Sequence, residues 1–550
     1  MKLLSVFVFV NLCHTLMYAQ VSQEAILEIA DSLFNTYGFK DPGSAVLVVK
    51  DKEVILNKGY GLANLEHEIP ISPSTVFDLA SVSKMFTSYA IAWLIEQHQL
   101  SPEDDIRKYI PELPVYDYTV TIEHLLHHTS GIKNFIQFLP IAGWSFDDKI
   151  TYEQVLNLAY DQKELNFKPG TKYSYSNTGY LLLAEVVQRV TGLSFSEWAD
   201  QNIFEPLEMT SSLFVDDYSQ VIPNRAYSYY DTQNGLEYKT SPNSYAVPGP
   251  SSLYSTTSDL AKWANFVDNG SDSVKAVFDR MFQKGKLNND ELTSYGYSMY
   301  IADFRGTKWI SHEGYWFSFA SLFVYFPEYH LSVVVLNNYA KSGYDAVREI
   351  ASLYIPQPPS KKADSSVDID SVVVAREILD EYVGAYKVEP THYVDVFLKE
   401  GELWWQATND LPIVMTPKSD SVFILKDNRG EIVTFQKNDV GQVASMFYRA
   451  KSCPKMQINH FDQNEIKEYL GNYMGESMKT IYTISYENNQ LVLKHIRKGR
   501  LTLENIWNDD FKILGGNRWF PRALEFIRDK SGEIRAFKLT DQRFVKVTVK

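Results

Sequence analysis

Apolar and polar positions follow different rhythms along this chain, and each rhythm predicts a different element. Residues 43–62, GSAVLVVKDKEVILNKGYGL, are apolar on both sides of Asp51-Lys52, which predicts a strand, a tight turn and a second strand. After Ser81-Val82-Ser83-Lys84, the residues Met85, Phe86, Tyr89, Ala90, Ile91, Trp93 and Leu94 recur at helical spacing, so a buried helix is expected there. The stretch Leu100-Ser101-Pro102-Glu103-Asp104-Asp105 stops that helix and restarts the chain. A second apolar helix is expected over 180–190, after the turn at Pro169-Gly170. Residues 309–337, WISHEGYWFSFASLFVYFPEYHLSVVVLN, read as two or three antiparallel strands turning at Pro327-Glu328.

Residues 356–370, PQPPSKKADSSVDID, are rich in Pro, Ser and charge, and predict a linker. Beyond them the rhythm changes to short strand-like alternations and repeats itself. Tyr382-Val383-Gly384-Ala385-Tyr386 returns as Tyr469-Leu470-Gly471-Asn472-Tyr473, and Phe435 with Gly441 returns as Phe526 with Gly532. Two small all-β barrels, or a closed pair, are the expected outcome. The expected order is a leader over 1–19, an α/β (α+β) domain over 20–355, a linker over 356–375, and β-repeats over 376–460 and 461–550.

Composition narrows the partners. Hydrophobic residues make up 45% and aromatics 14% of the 550 positions, enough for packed cores and against general disorder. The formal charge of −15 argues against nucleic acid or an anionic membrane as partner. Lys2, the apolar run over 3–10 and Ala19-Gln20 have the layout of a secretory signal, and the run is too short to anchor in a membrane. A secreted or periplasmic protein is therefore expected. Cys13 lies in that segment, which leaves Cys453 alone and no intrachain disulfide.

Three short motifs carry candidate chemistry. Ser81 and Lys84 are three apart, so a helix would bring them to one face, where a desolvated lysine can take a proton from a serine hydroxyl. Taken singly, Ser81 reads more readily as a helix cap; Ser130 to Lys133 and Ser452 to Lys455 share the spacing, the latter with Pro454 in strand-like sequence. Tyr175-Ser176-Asn177 follows the Pro-Gly turn. Tyr175 is a candidate acid or base if a lysine ammonium lowers its pKa, and Asn177 a candidate holder of lysine or substrate; Tyr486-Glu487-Asn488 repeats the pattern by chance. His312-Glu313-Gly314 sits at a strand edge. Alternation places His312 and Gly314 on the site's face and Glu313 on the other, with Gly314 admitting substrate close to the backbone. His124, His127 and His128 have ligand-like helical spacing, but the stretch stops at Ser130-Gly131 and offers no further matching ligand except neighbouring Glu123, so metal binding is not expected.

In combination and in this order, the three motifs resemble the serine β-lactamase and penicillin-binding-protein superfamily, in its class C-like branch of esterases and D-aminopeptidases. LLHHTSGI and PGTKYSYSNTGYLLL strengthen the resemblance, which covers about residues 25–355, and the β-repeats are similar to lipocalin-like barrels appended to some members. It implies an antiparallel sheet flanked by helices, plus a helical subdomain, with the site between them. It further implies Ser81 as the acylated nucleophile, Lys84 and Tyr175 sharing acid–base work, Asn177 orienting substrate and Lys84, and a structural His128. The backbone N–H groups of Ser81 and Tyr315 would meet the oxyanion. No cofactor or metal is called for. The third motif begins with His312 where β-lactamases and carboxypeptidases have a lysine that binds a substrate carboxylate. Small esters, amides or D-residue peptides, peptidoglycan fragments among them, are the expected substrates. The alternatives are a β-lactamase or D-alanyl-D-alanine carboxypeptidase, and a catalytically silent ligand-binding protein.

Overall fold

The computed structural model describes residues 23–548 except 35–39, 146, 233–236, 359–371, 373, 390–391, 408–411, 427–430, 449–450, 457–462, 476–477, 516–519 and 541. The expected leader, with Cys13, and most of the expected linker lie outside the described residues.

Ser44–Lys50 and Glu53–Tyr60 form the hairpin expected around Asp51-Lys52, whose φ values of 51° and 74° supply the twist a two-residue turn needs. They belong to a six-stranded antiparallel sheet in the order Tyr300–Phe304, Thr307–Trp316, Phe319–Phe326, Leu331–Asn337, Ser44–Lys50, Glu53–Tyr60. The early strand thus lies beside the late one, Ser44 opposite Asn337 and Lys50 opposite Leu331. Successive residues of these central strands serve two cores. Ala45, Leu47, Val334 and Leu336 pack into the core shared with the helices Ser83–Glu96 and Thr257–Asn269, while Val46, Val48, Val333 and Val335 pack with Gln23–Phe34 and Tyr344–Tyr354. Strands covered on both faces need apolar residues at nearly every position, and this is why the central strands Ser44–Lys50, Phe319–Phe326 and Leu331–Asn337 read as near-continuous apolar runs. The turn at Pro327–Tyr329 is present, but the chain also reverses at Phe317-Ser318 with φ values of 43° and 65°, a turn that no glycine announces.

Ser83–Glu96 is buried along nearly its whole length beside Asn177–Thr191. The latter begins three residues before the apolar run does, because Ser176 Oγ accepts the Gly179 N–H at 3.4 Å and caps it. Beyond Tyr344–Tyr354, the strands from Gly384–Glu389 to Lys451–Pro454 form an eight-stranded sheet. Its ends meet through a Tyr386–Lys455 bridge and a 2.7 Å bond from the Met456 N–H to the Ala385 carbonyl. The strands from Gly471–Gly475 to Gln542–Val547 close into an eight-stranded barrel. The sequence repeat is the joint of each unit: Tyr386 Oη donates to the Tyr382 carbonyl at 2.7 Å, and Tyr473 Oη to the Tyr469 carbonyl at 2.8 Å. Phe435 stacks on Tyr382 in one copy and Phe526 meets Tyr469 edge-on in the other. Among the described residues no helix is long and apolar enough to cross a membrane.

Candidate active site

Phe77–Asp78 leads into a 3₁₀ turn, Ala80–Val82, and the helix Ser83–Glu96 follows. Ser81 lies in that turn and caps nothing; the residue at the helix start is Val82, without a side-chain cap bond. Ala80 has φ 48°, a left-handed conformation unfavourable for a residue with a β-carbon. Its surroundings hold it there. Asp78 Oδ1 accepts the Ala80 N–H at 2.8 Å, Asp78 Oδ2 accepts from Asn243 Nδ2 at 2.8 Å, and Ser321 Oγ donates to the Leu79 carbonyl at 2.6 Å. Gly314 presses on the same turn: a Cβ there would stand 2.2 Å from the Leu79 oxygen and 2.9 Å from the Ser81 nitrogen. The glycine therefore makes room for the nucleophile's own backbone, a different role from the expected one of admitting substrate.

One helical turn past Ser81, Lys84 Nζ lies 3.0 Å from Ser81 Oγ, 2.8 Å from Asn177 Oδ1 and 2.7 Å from the Pro250 carbonyl. Lys84 is fully buried, and desolvation holds its pKa well below the ordinary lysine value. Tyr175 is directed the other way: burial pushes its phenol well above the ordinary tyrosine value, against a hydrogen bond with Ser81 that lowers it. The condition of a lysine ammonium lowering Tyr175 is thus not met, because the site desolvates both groups and favours the neutral form of each.

His312 faces the site but presents no charge to it. Its Nδ1 lies 2.6 Å from the Glu313 carbonyl, which can only accept, so Nδ1 carries the proton and Nε2 accepts from Tyr295 Oη at 3.1 Å. Burial, with the nearby Lys84, lowers its pKa to about 3. Glu313 follows the strand alternation, its side chain hydrogen-bonded to Tyr344 on the far face of the sheet while His312 and Gly314 turn to the nucleophile's side. Glu313 also borders the same cavity of about 340 Å³ as Ser81, Tyr175, Asn177 and His312, with Tyr315 and Trp316 beside it. Its side chain is solvent-accessible, yet desolvation raises its carboxyl pKa, opposed by the hydrogen bond from Tyr344.

The three neighbouring histidines diverge. The helix carrying them is only Ile122–Leu126, and His128 has φ 57°. His124 closes a capping box with Thr121, and His127 Nδ1 lies 3.3 Å from the Tyr295 carbonyl. His128 holds the second motif. Its Nδ1 accepts the Ser176 N–H at 3.2 Å, its carbonyl accepts the Ser174 N–H at 2.8 Å, and its ring centroid lies 4.2 Å from that of Tyr175. Asp78, Asn134, Pro250 and Tyr295, which complete the site, carried no sequence signal. They act through the fold, at positions that no local pattern marks.

A beta-lactamase family profile matches residues 31–354, and the chain belongs to that family. It is a serine hydrolase with penicillin-binding-protein and D-aminopeptidase relatives. Penicillin-binding protein 4* of Bacillus subtilis is 25% identical over 420 residues, which span 72% of this chain and 90% of that protein. A D-aminopeptidase of Gluconobacter oxydans is 26% identical over 62% of this chain and 64% of its own length. Among solved structures, the octameric penicillin-binding protein homologue from Pyrococcus abyssi superposes with a TM-score of 0.55 at 22% identity. It covers 87% of this chain and 99% of its own, and shares the fold.

Proposed function

We propose that the protein hydrolyses an ester, an amide or a D-residue-containing peptide through an acyl-enzyme on Ser81. The observation that carries this is the Lys84 coordination. A neutral amine has two N–H donors and one lone pair; the Asn177 and Pro250 oxygens account for the donors, so the lone pair is left for the Ser81 hydroxyl 3.0 Å away. As Ser81 Oγ attacks the carbonyl carbon, its proton passes to Lys84 Nζ, and the backbone N–H groups of Ser81 and Tyr315 meet the oxyanion. When the tetrahedral adduct collapses, the Tyr175 phenol protonates the leaving group and recovers a proton from the Lys84 ammonium. Water then enters, gives its proton back along the same path, and releases the acid.

The neutral, internally engaged His312 supports substrates that need no carboxylate anchor, and weighs against efficient β-lactam hydrolysis or carboxypeptidase action. The N-terminal apolar run supports export. The test is a pre-steady-state burst with a p-nitrophenyl ester, wild type against Ser81→Ala. A burst equal to enzyme concentration and absent from the variant is expected; identical traces would leave a ligand-binding protein as the better reading.

A further inference from the structure

The helix Phe135–Ile141 has one end in the catalytic site and the other in the second barrel. At its start, Asn134 Oδ1 accepts the backbone N–H and the side-chain Nδ2–H of Asn177 at 3.2 and 3.4 Å. Asn177 Oδ1 in turn accepts from Lys84. The Phe135 N–H donates to Thr178 Oγ1 at 2.9 Å, and Ile136 stands in the cavity wall. At its end, Ile141 is wholly buried in one apolar core with Tyr473, Tyr482, Leu493 and Phe544 of the closed barrel. Tyr482 Oη donates to the Ile141 carbonyl at 2.7 Å.

The following residues are tied to the barrel's rim. Gly143 has φ 91°, and a Cβ there would come 2.2 Å from His495 Cε1, so the backbone lies flat against that ring. Lys498 Nζ donates to the Trp144 carbonyl at 2.5 Å, and Arg497 Nη2 reaches both Asp148 oxygens at 2.8 and 2.7 Å. A helix of two turns has too few internal bonds to hold its own geometry, so its anchors at both ends set it.

We propose that Ile141 and Tyr482 are positioning residues, through which the second barrel clamps this helix and thereby holds Asn134 and Asn177 against Lys84. The barrel's interior at this end is filled by a side chain of the same polypeptide, and its role is to brace one wall of the catalytic cleft. This rests on the acyl-enzyme reading of Ser81.

The test uses the full chain. Ile141→Ala removes the plug, Ile141→Val restores most of it, and the exposed pair is reversed singly and together as Arg497→Asp and Asp148→Arg. Two quantities are read: amide exchange across residues 134–148, and kcat and KM for p-nitrophenyl acetate. Ile141→Ala is expected to raise exchange and to lower kcat about tenfold, within what a sub-ångström to ångström misplacement costs, with KM little changed. Ile141→Val and the double reversal are expected to return both readings toward wild type. Should Ile141→Ala fail to fold, the rim pair carries the test. Faster exchange with unchanged kcat overturns the proposal, as does unchanged exchange or a double reversal that fails to rescue. Wild-type hydrolysis that persists in Ser81→Ala is a separate failure: it removes the acyl-enzyme reading, and the catalytic role of the clamp with it, while exchange still reports the contact itself.

Discussion

Replacing Gly314 by alanine is expected to slow every substrate, because the added carbon collides with the nucleophile's turn. At 2.2 Å from the Leu79 oxygen, 2.4 Å from Ser321 Oγ and 2.9 Å from the Ser81 nitrogen, that carbon sits well inside contact distance. The closest of these atoms is backbone, in a segment already held by Asp78, Ser321 and the Leu79 N–H bond to the Leu253 carbonyl. Restoring contact distance takes a displacement of about 1 Å, and overpacking of this kind costs about 1–3 kcal/mol of stability. Moving a reacting group by that much is worth about 100-fold in rate. The assay is kcat and KM for p-nitrophenyl acetate and for a bulkier ester, beside thermal melting. A fall in kcat for both esters, with a lower Tm, is expected. A change confined to KM of the bulky ester would refute the reasoning and return Gly314 to the role of admitting substrate. Rescue by Ser321→Gly would also refute it, since it would make the hydroxyl, and not the Leu79 carbonyl, the decisive contact.

Lys84→Met is expected to reduce acylation of Ser81 by about 100- to 10,000-fold, read as the rate of labelling by a fluorophosphonate, and near-normal labelling would remove Lys84 as the base. Tyr295→Phe leaves the buried His312 Nε2 without its donor and is expected to cost about 1–3 kcal/mol in chemical denaturation. Asp78 gives a pH dependence with a definite sign. Its pKa is raised by burial from 3.8 to about 7, against lowering contacts from the Ala80 N–H, Tyr254, Asn243 and Arg225. The folded chain therefore holds a proton that the unfolded chain has released, and this carboxyl makes stability fall as pH rises from about 4 to 7. A shift of that size is of order 4 kcal/mol across the window, and Asp78→Asn is expected to flatten the slope of unfolding free energy against pH between those limits. Parallel curves for the two proteins would count against it.

The hairpin at Asp51-Lys52, the two long helices and the β-repeats were readable because each depends on residues close in sequence. The Ser81–Lys84 spacing belongs to the same kind: three residues at a helix start make one turn whatever surrounds them. The alternation along His312-Glu313-Gly314 was readable too, and Glu313 turns toward Tyr344, away from the nucleophile's side. Strand periodicity assigns a residue to a face but does not give the extent of the cavity, which Glu313 and Tyr315 border as well. The protonation of Tyr175 was also out of reach, since it depends on how completely the cleft excludes water and not on which lysine is near.

The sequence by itself determined the local elements, the family, and the three motifs that carry the nucleophile and its partners. Only the tertiary structure decided what those motifs do to one another. The Asn177 carbonyl meets Lys84 from 93 residues away, the Pro250 carbonyl from 166, and Ser321 braces the nucleophile's turn from 242. Such contacts form where the central strand Ser44–Lys50 pairs with Leu331–Asn337 and draws both ends of the domain into one sheet. Desolvation and backbone contact depend on what lies within a few ångströms in space, and that neighbourhood exists only once the sheet has closed.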